Sequence, residues 1–325
     1  MKKMEHFIKH NAVFFFLYRL FFGFIFRFLG CFVKTNKKLI LFVSYGGDSF
    51  NDSPKALFDY IKDDGFFSSY FFVWALKKPI LIEGAKVVKI DSFKYFITAL
   101  KAGIWITNVN IERGLRFKKK KTIYLNTWHG TGPKKSGRAI KDRKDYDFSN
   151  VDILCVDGKY TKDHFIEYFN AKEESMIWCG RPREDRLFNF SQSDVKNIKA
   201  KLKIPNDKKV IFYAPTWREK HTKLLDINTF KSILGENYFI IVRSHHFSND
   251  DFSRLNGNFA NVTDYPDISD LYLISDYLIS DYLISDYSSA FFDFGLLKKP
   301  FYCFATDYDA YQKDVGLFID IKEEF

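Results

Sequence analysis

Leu39-Ile40-Leu41-Phe42-Val43-Ser44 runs into Tyr45-Gly46-Gly47, and Pro54–Ile61 follows with helical spacing. An unbroken apolar run of this length, closed by glycines, reads as a strand buried on both faces. The pattern recurs downstream. Tyr70–Trp74, Val87–Ile90, Ile104–Asn108, Thr122–Asn126, Ile153–Val156 and Ser175–Trp178 are strand-like, with a helix expected over Phe93–Lys101. Strands spaced by helical stretches predict a parallel, doubly wound α/β sheet.

A second series starts at Val210–Ala214 and continues through Tyr238–Arg243, Asn261-Val262 and the strand leading to Asp286. The polar stretch Asn189–Lys209, with Pro205 and Asn206, reads as a connection carrying one helix. A chain of 325 residues exceeds the usual size of one core. The expected organisation is a segment over 1–38, an α/β domain over 39–190 and a second over 191–325. The two doubly wound sheets are expected to face a cleft, with ligands at the C-terminal strand ends.

The chain carries 50 Lys+Arg against 40 Asp+Glu, a net charge of +10 that suits an anionic partner. Between Arg113 and Lys144 there are twelve basic residues and one acid, Asp142, which localises the positive field. The basic run adjoins His129 and lacks a base-stacking platform or any nucleic-acid motif, which argues against a nucleic-acid module. Cys31, Cys155, Cys179 and Cys303 are scattered without zinc spacing and are expected to be reduced and mostly buried.

Residues 1–38 concentrate Phe, Leu and Ile, interrupted by Arg19 and Arg27. No small-residue cleavage site follows, so a signal peptide is not indicated. At about 100° per residue, Lys2, His6, Lys9, Arg19, Arg27 and Lys34 fall in one half of a helix. This amphipathic pattern predicts an in-plane, membrane-associated helix with its basic side toward anionic head groups. A helix packed on the protein's own core and a spanning helix are the other readings. The spanning one would place two arginines in hydrocarbon.

Three constellations carry chemistry. Asn126-Thr127-Trp128-His129-Gly130-Thr131-Gly132-Pro133-Lys134-Lys135 follows a strand, so His129 lies at a strand end with glycines that allow a ligand to approach. A histidine there suits a general base, or alternatively a loop cap. Lys134, Lys135 and Arg138 add positive charge for an acceptor or phosphate. Arg243-Ser244-His245-His246 ends another strand and suits phosphate oxygens; its spacing supplies no third metal ligand, and no metal is expected. Ser285-Asp286-Tyr287-Ser288-Ser289 turns a strand into a helix capped by Ser288 or Ser289, with amides and hydroxyls for an anion and Asp286 for a polyol hydroxyl. Tyr213–Arg218 is a further strand end, with the Arg218 guanidinium available.

Together with Gly47-Asp48-Ser49-Phe50-Asn51-Asp52-Ser53-Pro54-Lys55-Ala56-Leu57, Gly180-Arg181-Pro182-Arg183 and Asp267-Ile268-Ser269-Asp270-Leu271 through Asp293-Phe294, these segments resemble the CDP-glycerol glycerophosphotransferase family of teichoic acid and capsule synthesis. The resemblance implies a GT-B-like fold without metal or cofactor. It implies transfer of glycerol phosphate from CDP-glycerol to a lipid-linked cell-wall or capsule acceptor at the cytoplasmic membrane face, with loss of CMP. By position His129 is the implied base, His245 and Arg243 hold the pyrophosphate, and Arg218, Ser285, Asp286, Ser288 and Ser289 bind the donor. The implied donor domain is 191–325 and the acceptor-side domain 39–190. A nucleotide-sugar glycosyltransferase and CDP-ribitol-dependent transfer are the alternatives.

Two departures stand out. Tyr-Leu-Ile-Ser-Asp occurs three times in succession, at 272–276, 277–281 and 282–286. A five-residue unit fits neither helix nor strand: it turns a helix by about 500° and reverses a strand's face. The first copy is expected to end a helix and the last to form the strand, with the middle copy inserted between them and Asp286 open to displacement. The sequence also stops at Phe325, where the family usually continues, so closing helices are expected to be missing.

Overall fold

The computed structural model describes residues 11–141, 146–216, 226–244, 257–274 and 282–324. The chain forms two compact units, one of residues 1–129 and 136–183, the other of 130–135 and 184–325. The second unit thus takes in a six-residue piece of chain from the middle of the first.

Unit 1 is built on seven strands: β1 (Asn36–Val43), β2 (Phe71–Leu76), β3 (Lys86–Lys89), β4 (Ala102–Thr107), β5 (Ile123–Asn126), β6 (Ile153–Val156) and β7 (Met176–Trp178). They lie in the order β3-β2-β1-β4-β5-β6-β7, and every pair is parallel. Alternation along β1 shows why the sheet is buried on both faces. Leu41 and Val43 join one core with Trp105 and Tyr124, while Ile40 and Phe42 join another with Phe58 and Trp74. The helices are α1 (Ala12–Phe32), α2 (Asp52–Ile61), α3 (Phe93–Lys101) and α4 (Lys159–Phe169). Ser92 starts α3 by accepting the Tyr95 amide at 3.1 Å.

Unit 2 holds β8 (Lys209–Tyr213), β9 (Tyr238–Val242), β10 (Phe259–Asn261), β11 (Tyr282–Ser285) and β12 (Phe301–Cys303), in the parallel order β10-β9-β8-β11-β12. Its faces alternate likewise, with Val210 and Phe212 in one core and Ile211 and Tyr213 in the other. Its helices are α5 (Asp185–Phe188), α6 (Gln192–Lys201), α7 (Ile227–Leu234), α8 (Ile268–Ile274), α9 (Ala290–Gly295), α10 (Tyr308–Asp314) and α11 (Ile321–Glu324). Strand β12 is not distinguished in the sequence, where Lys299-Pro300 interrupts the apolar run just before it.

In the triple repeat, the start of the first copy is helical and the last copy forms the expected strand. Tyr272-Leu273-Ile274 lies in α8, and Tyr282–Ser285 is β11, paired with β8 through Leu283↔Phe212 and Ile284↔Tyr213. The middle copy lies outside the described residues.

Helix α1 differs from the expected pattern, because it has two apolar faces. Phe15, Gly23, Phe26 and Gly30 are buried in unit 1; the Phe26 ring stacks on Phe96 at 4.2 Å, and a Cβ on Gly23 would lie 2.6 Å from the Leu115 carbonyl. On the opposite side Phe16, Leu17, Leu20, Phe21, Phe24 and Phe28 are exposed. Arg19 lies over the buried Phe15 ring, its guanidinium 5.7 Å from the ring centroid, whereas Lys2, His6 and Lys9 of the expected basic side lie outside the described residues. The helix Val13–Phe32 is also long and apolar enough, at mean hydropathy 1.7, to cross a membrane. All four cysteines are free, but only Cys155 is buried, which corrects the expectation of mostly buried thiols.

Candidate functional site

In each sheet the strand order reverses at one place: between β1 and β4 in unit 1, and between β8 and β11 in unit 2. Such switch points leave a crevice at the C-terminal strand ends, where open α/β sheets bind their ligands. The constellations around His129 and Asp286 both fall at these ends.

In unit 1 two asparagines join three strand ends. Asn108, directly after β4, accepts the Tyr45 amide on Oδ1 at 2.8 Å, which ties the end of β1 to that of β4. Asn126, the last residue of β5, donates from Nδ2 to the Val109 carbonyl at 3.0 Å and accepts the Trp128 amide at 2.8 Å. Trp128 takes φ +54°, a left-handed turn that the Asn126 side chain holds closed. The chain therefore presents His129 beside Asn108, whose carbonyl receives His129 Nδ1–H at 2.8 Å. The Tyr45 and Trp128 rings flank the imidazole at centroid distances of 5.5 and 4.1 Å.

Beneath His129 lies a buried ion pair. Arg183 Nη1 donates to Asp52 Oδ2 at 2.6 Å and to the His129 carbonyl at 3.0 Å. Asp52 also accepts from Tyr45 Oη–H at 2.8 Å and from the Ser53 amide at 2.7 Å, and Ser53 Oγ accepts the Arg183 amide at 3.3 Å. Burial works to raise the Asp52 carboxyl, but the Arg183 guanidinium and these hydrogen bonds outweigh it and hold it below its usual value. Asp52 and Arg183 enter the sequence reading only as parts of family motifs, and Asn108 only as the end of a strand. An asparagine closing each of two neighbouring strands is the signal that would have found Asn108.

In unit 2 the Asp286 carboxylate accepts the Thr216 amide at 2.9 Å and the Tyr287 amide at 2.7 Å, fastening the loop after β8 to the end of β11. Ser285 is fully buried, and its hydroxyl donates to the Ala214 carbonyl at 2.5 Å. Ser289 caps α9 by backbone position without a side-chain hydrogen bond, whereas Ser288 Oγ accepts the Ala290 amide at 3.1 Å. Gly132 comes so close to this turn that a Cβ on it would lie 3.0 Å from the Ser289 nitrogen. The same segment pairs with residues 316–318: Lys135 N–H donates to the Gly316 carbonyl at 3.0 Å, and Phe318 N–H to the Pro133 carbonyl at 2.7 Å.

The remaining candidates divide between the units. Lys134 has its ammonium lowered by desolvation, with the Asp286 carboxylate opposing that shift. The Lys135 side chain lies against Gly316. Arg243 follows β9, and its Nη1 donates to the Tyr265 carbonyl at 2.9 Å. Arg138 belongs to unit 1, exposed, directed at the Tyr146 carbonyl at 3.2 Å and at Asp147 at 3.6 Å. Arg218 and His245 lie outside the described residues. Among the described residues no group of three or more His, Cys, Asp or Glu side chains is placed to hold a metal ion.

Two doubly wound parallel sheets, with histidine, basic and hydroxyl side chains at their switch points, define a GT-B-like transferase. Solved structures of the wall teichoic acid polymerase TagF match this chain with a TM-score of 0.81 at 31% identity, covering 92% of this chain and 79% of that one. The teichoic acid glycerol-phosphate transferase of Staphylococcus aureus is 34% identical over 89% of this chain and 79% of its own length. The teichoic acid poly(glycerol phosphate) polymerase of Staphylococcus epidermidis is 33% identical over 90% of this chain, which spans only 43% of that polymerase. The chain belongs to the CDP-glycerol:poly(glycerophosphate) glycerophosphotransferase family, which matches residues 25–325. CDP-glycerol-dependent glycerophosphate transfer is the activity that this membership supports.

Proposed function

We propose that this chain transfers glycerol phosphate from CDP-glycerol to a hydroxyl of a lipid-linked cell-wall or capsule acceptor. The observation that carries the reading is the setting of His129 at the unit 1 switch point. Its Nδ1 is committed to the Asn108 carbonyl, so the ring's basic lone pair belongs to Nε2. In this reading Nε2 takes the proton of the acceptor hydroxyl as that oxygen bonds to the glycerol-bearing phosphorus of the donor. The bond from that phosphorus to the CMP oxygen breaks, and CMP leaves. Phosphoryl transfer depends chiefly on positioning and charge stabilisation. That role falls to Arg218, Arg243 and His245, with Lys134, Lys135 and Arg138 adding positive charge. Asp286, Ser288 and Ser289 bind the donor's phosphate or polyol, and Ser285 supports the Asp286 turn from within the sheet. The S. aureus relative and a TagF structure obtained after a soak with CDPG favour the glycerol donor over the ribitol one.

The exposed phenylalanine face of α1 supports peripheral attachment to the cytoplasmic membrane surface, which is where a lipid-linked acceptor is met. Burying one Phe side chain contributes up to about 1.5–3 kcal/mol, so several acting together suffice for stable attachment. The test is nucleotide release from CDP-glycerol, CDP-ribitol and a UDP-sugar in the presence of lipid-linked acceptor. CMP from CDP-glycerol, abolished in His129→Ala with donor binding retained, is the expected result. Turnover that survives in His129→Ala would remove His129 as the base.

A further inference from the structure

The proton on His129 is placed by a residue that no recognised motif contains. A carbonyl oxygen can only accept, so the 2.8 Å contact with Asn108 requires the imidazole proton to sit on Nδ1. We propose that Asn108 is a positioning residue that fixes this tautomer, its side chain holding rigid the peptide whose carbonyl selects Nδ1–H. The proposal rests on the reading of His129 as the base.

The peptide joining Asn108 to Val109 is held at both ends. Its N–H donates to Thr107 Oγ1 at 3.2 Å, while its carbonyl receives His129. The Val109 carbonyl, one peptide further on, receives Asn126 Nδ2 at 3.0 Å. The Asn108 side chain supplies the third constraint. Its Oδ1 accepts the amide of Tyr45, a residue in the left-handed region at φ +45°. An amide donor needs an acceptor, which settles the orientation of the Asn108 side chain. Its Nδ2 then points the other way, buried and without a hydrogen-bond partner among the described residues. Leaving a buried donor unmatched is unfavourable. An asparagine at this place is explained by what its other atoms do: one side-chain oxygen for β1 and one main-chain oxygen for the base.

Aspartate and alanine at this position separate the idea from a merely structural role. Asn108→Asp keeps an oxygen for the Tyr45 amide, whereas Asn108→Ala removes it. Among the described residues of this unit, the titratable groups that neighbour His129 include Tyr45 beside the ring and Asp52 with Arg183 at its carbonyl, and both variants leave all three in place.

The experiment is nitrogen NMR of histidine-labelled full-length chain, with His129→Gln used to assign the His129 signals, together with steady-state kinetics. The wild type is expected to show the Nδ1–H form, and Asn108→Ala a mixture of tautomers. In Asn108→Ala kcat should fall by at least about tenfold, the scale seen when a partner that orients a metal-bound imidazole is lost, with KM for CDP-glycerol unchanged. Asn108→Asp should retain the Nδ1–H form and most of kcat. An Nε2–H wild type overturns the proposal, as does an Asn108→Ala protein that keeps the wild-type tautomer and kcat. Should the alanine variant fail to fold, Asn108→Asp decides: a preserved tautomer supports the assignment, and a lost one overturns it. Turnover surviving in His129→Ala would instead sink the base reading, while the NMR result would still decide the role of Asn108.

Discussion

Replacing Arg183 by methionine should convert a stabilising carboxylate into a destabilising one. The Arg183 and Asp52 side chains are 6% and 2% exposed, so the pair is held away from water. Removing one partner of a buried ion pair costs about 3–5 kcal/mol, because the other charge is left uncompensated. Against a typical total of about 5–15 kcal/mol, that is a large fraction. The pH dependence gives a sharper signature. In the wild type the folded Asp52 carboxyl titrates below its unfolded value of 3.8. Its contribution is therefore fully present above that pH and is lost only as pH falls through the folded value, leaving stability flat in this respect between about pH 5 and 7. In Arg183→Met, burial opposes only the Tyr45 and Ser53 hydrogen bonds, and the carboxyl rises above its unfolded value. Acidification then neutralises it, so the variant should gain stability as pH falls from 7 toward 5. Urea unfolding at several pH values measures this. Asp52→Asn and the double variant complete the cycle, and the double variant should be markedly less impaired than Arg183→Met alone. A loss under about 1 kcal/mol at pH 7, with no gain on acidification, would show that the pair carries neither the charge balance nor the support of His129 assigned to it.

Other consequences are open to direct measurement. His164 is buried, and its imidazole is lowered to about 4, mainly by desolvation, with Ser136 Oγ 2.8 Å from Nε2. The unfolded chain therefore binds the extra proton between pH 6.5 and 4, and stability should fall by up to about 3 kcal/mol as pH drops through that window. His164→Gln should abolish that slope, and an unchanged slope would assign it elsewhere. Gly137 has φ +61°, and a Cβ there would lie 2.4 Å from the Tyr168 carbonyl oxygen. Gly137→Ala should cost about 2–4 kcal/mol from strain and crowding combined, read as a lowered melting temperature, and a wild-type melting temperature would contradict this packing. Changing Phe16, Phe21 and Phe24 together to glutamine should weaken sedimentation with anionic phospholipid vesicles by more than about tenfold while leaving the fold intact. Equal sedimentation would remove this face as the attachment surface.

The strand series of unit 1 was legible because buried parallel strands are written as contiguous apolar runs. His129 and Asp286 could be placed at strand ends for the same local reason. What escaped is non-local. Nothing near Asp52 in the sequence announces Arg183, and nothing in Thr107-Asn108 announces the amide of Tyr45. Helix α1 shows a different limit: it is apolar around most of its circumference, so periodicity could not say which side would pack on Leu115.

The entry of residues 130–135 into unit 2 has a consequence for synthesis of the chain. Pro133 leaves the ribosome early, yet the amide that its carbonyl accepts belongs to Phe318. At about 5–20 residues per second, the intervening chain takes roughly 10–40 s to appear, long enough for unit 1 to fold first. The Gly130–Lys135 segment must wait throughout as an unpaired excursion from a finished domain. For the same reason no single cut yields both units whole: a fragment beginning at Glu184 lacks the piece that lies against Ser289. Restoring it in trans, or grafting it onto the front of such a fragment, is the condition for studying unit 2 alone.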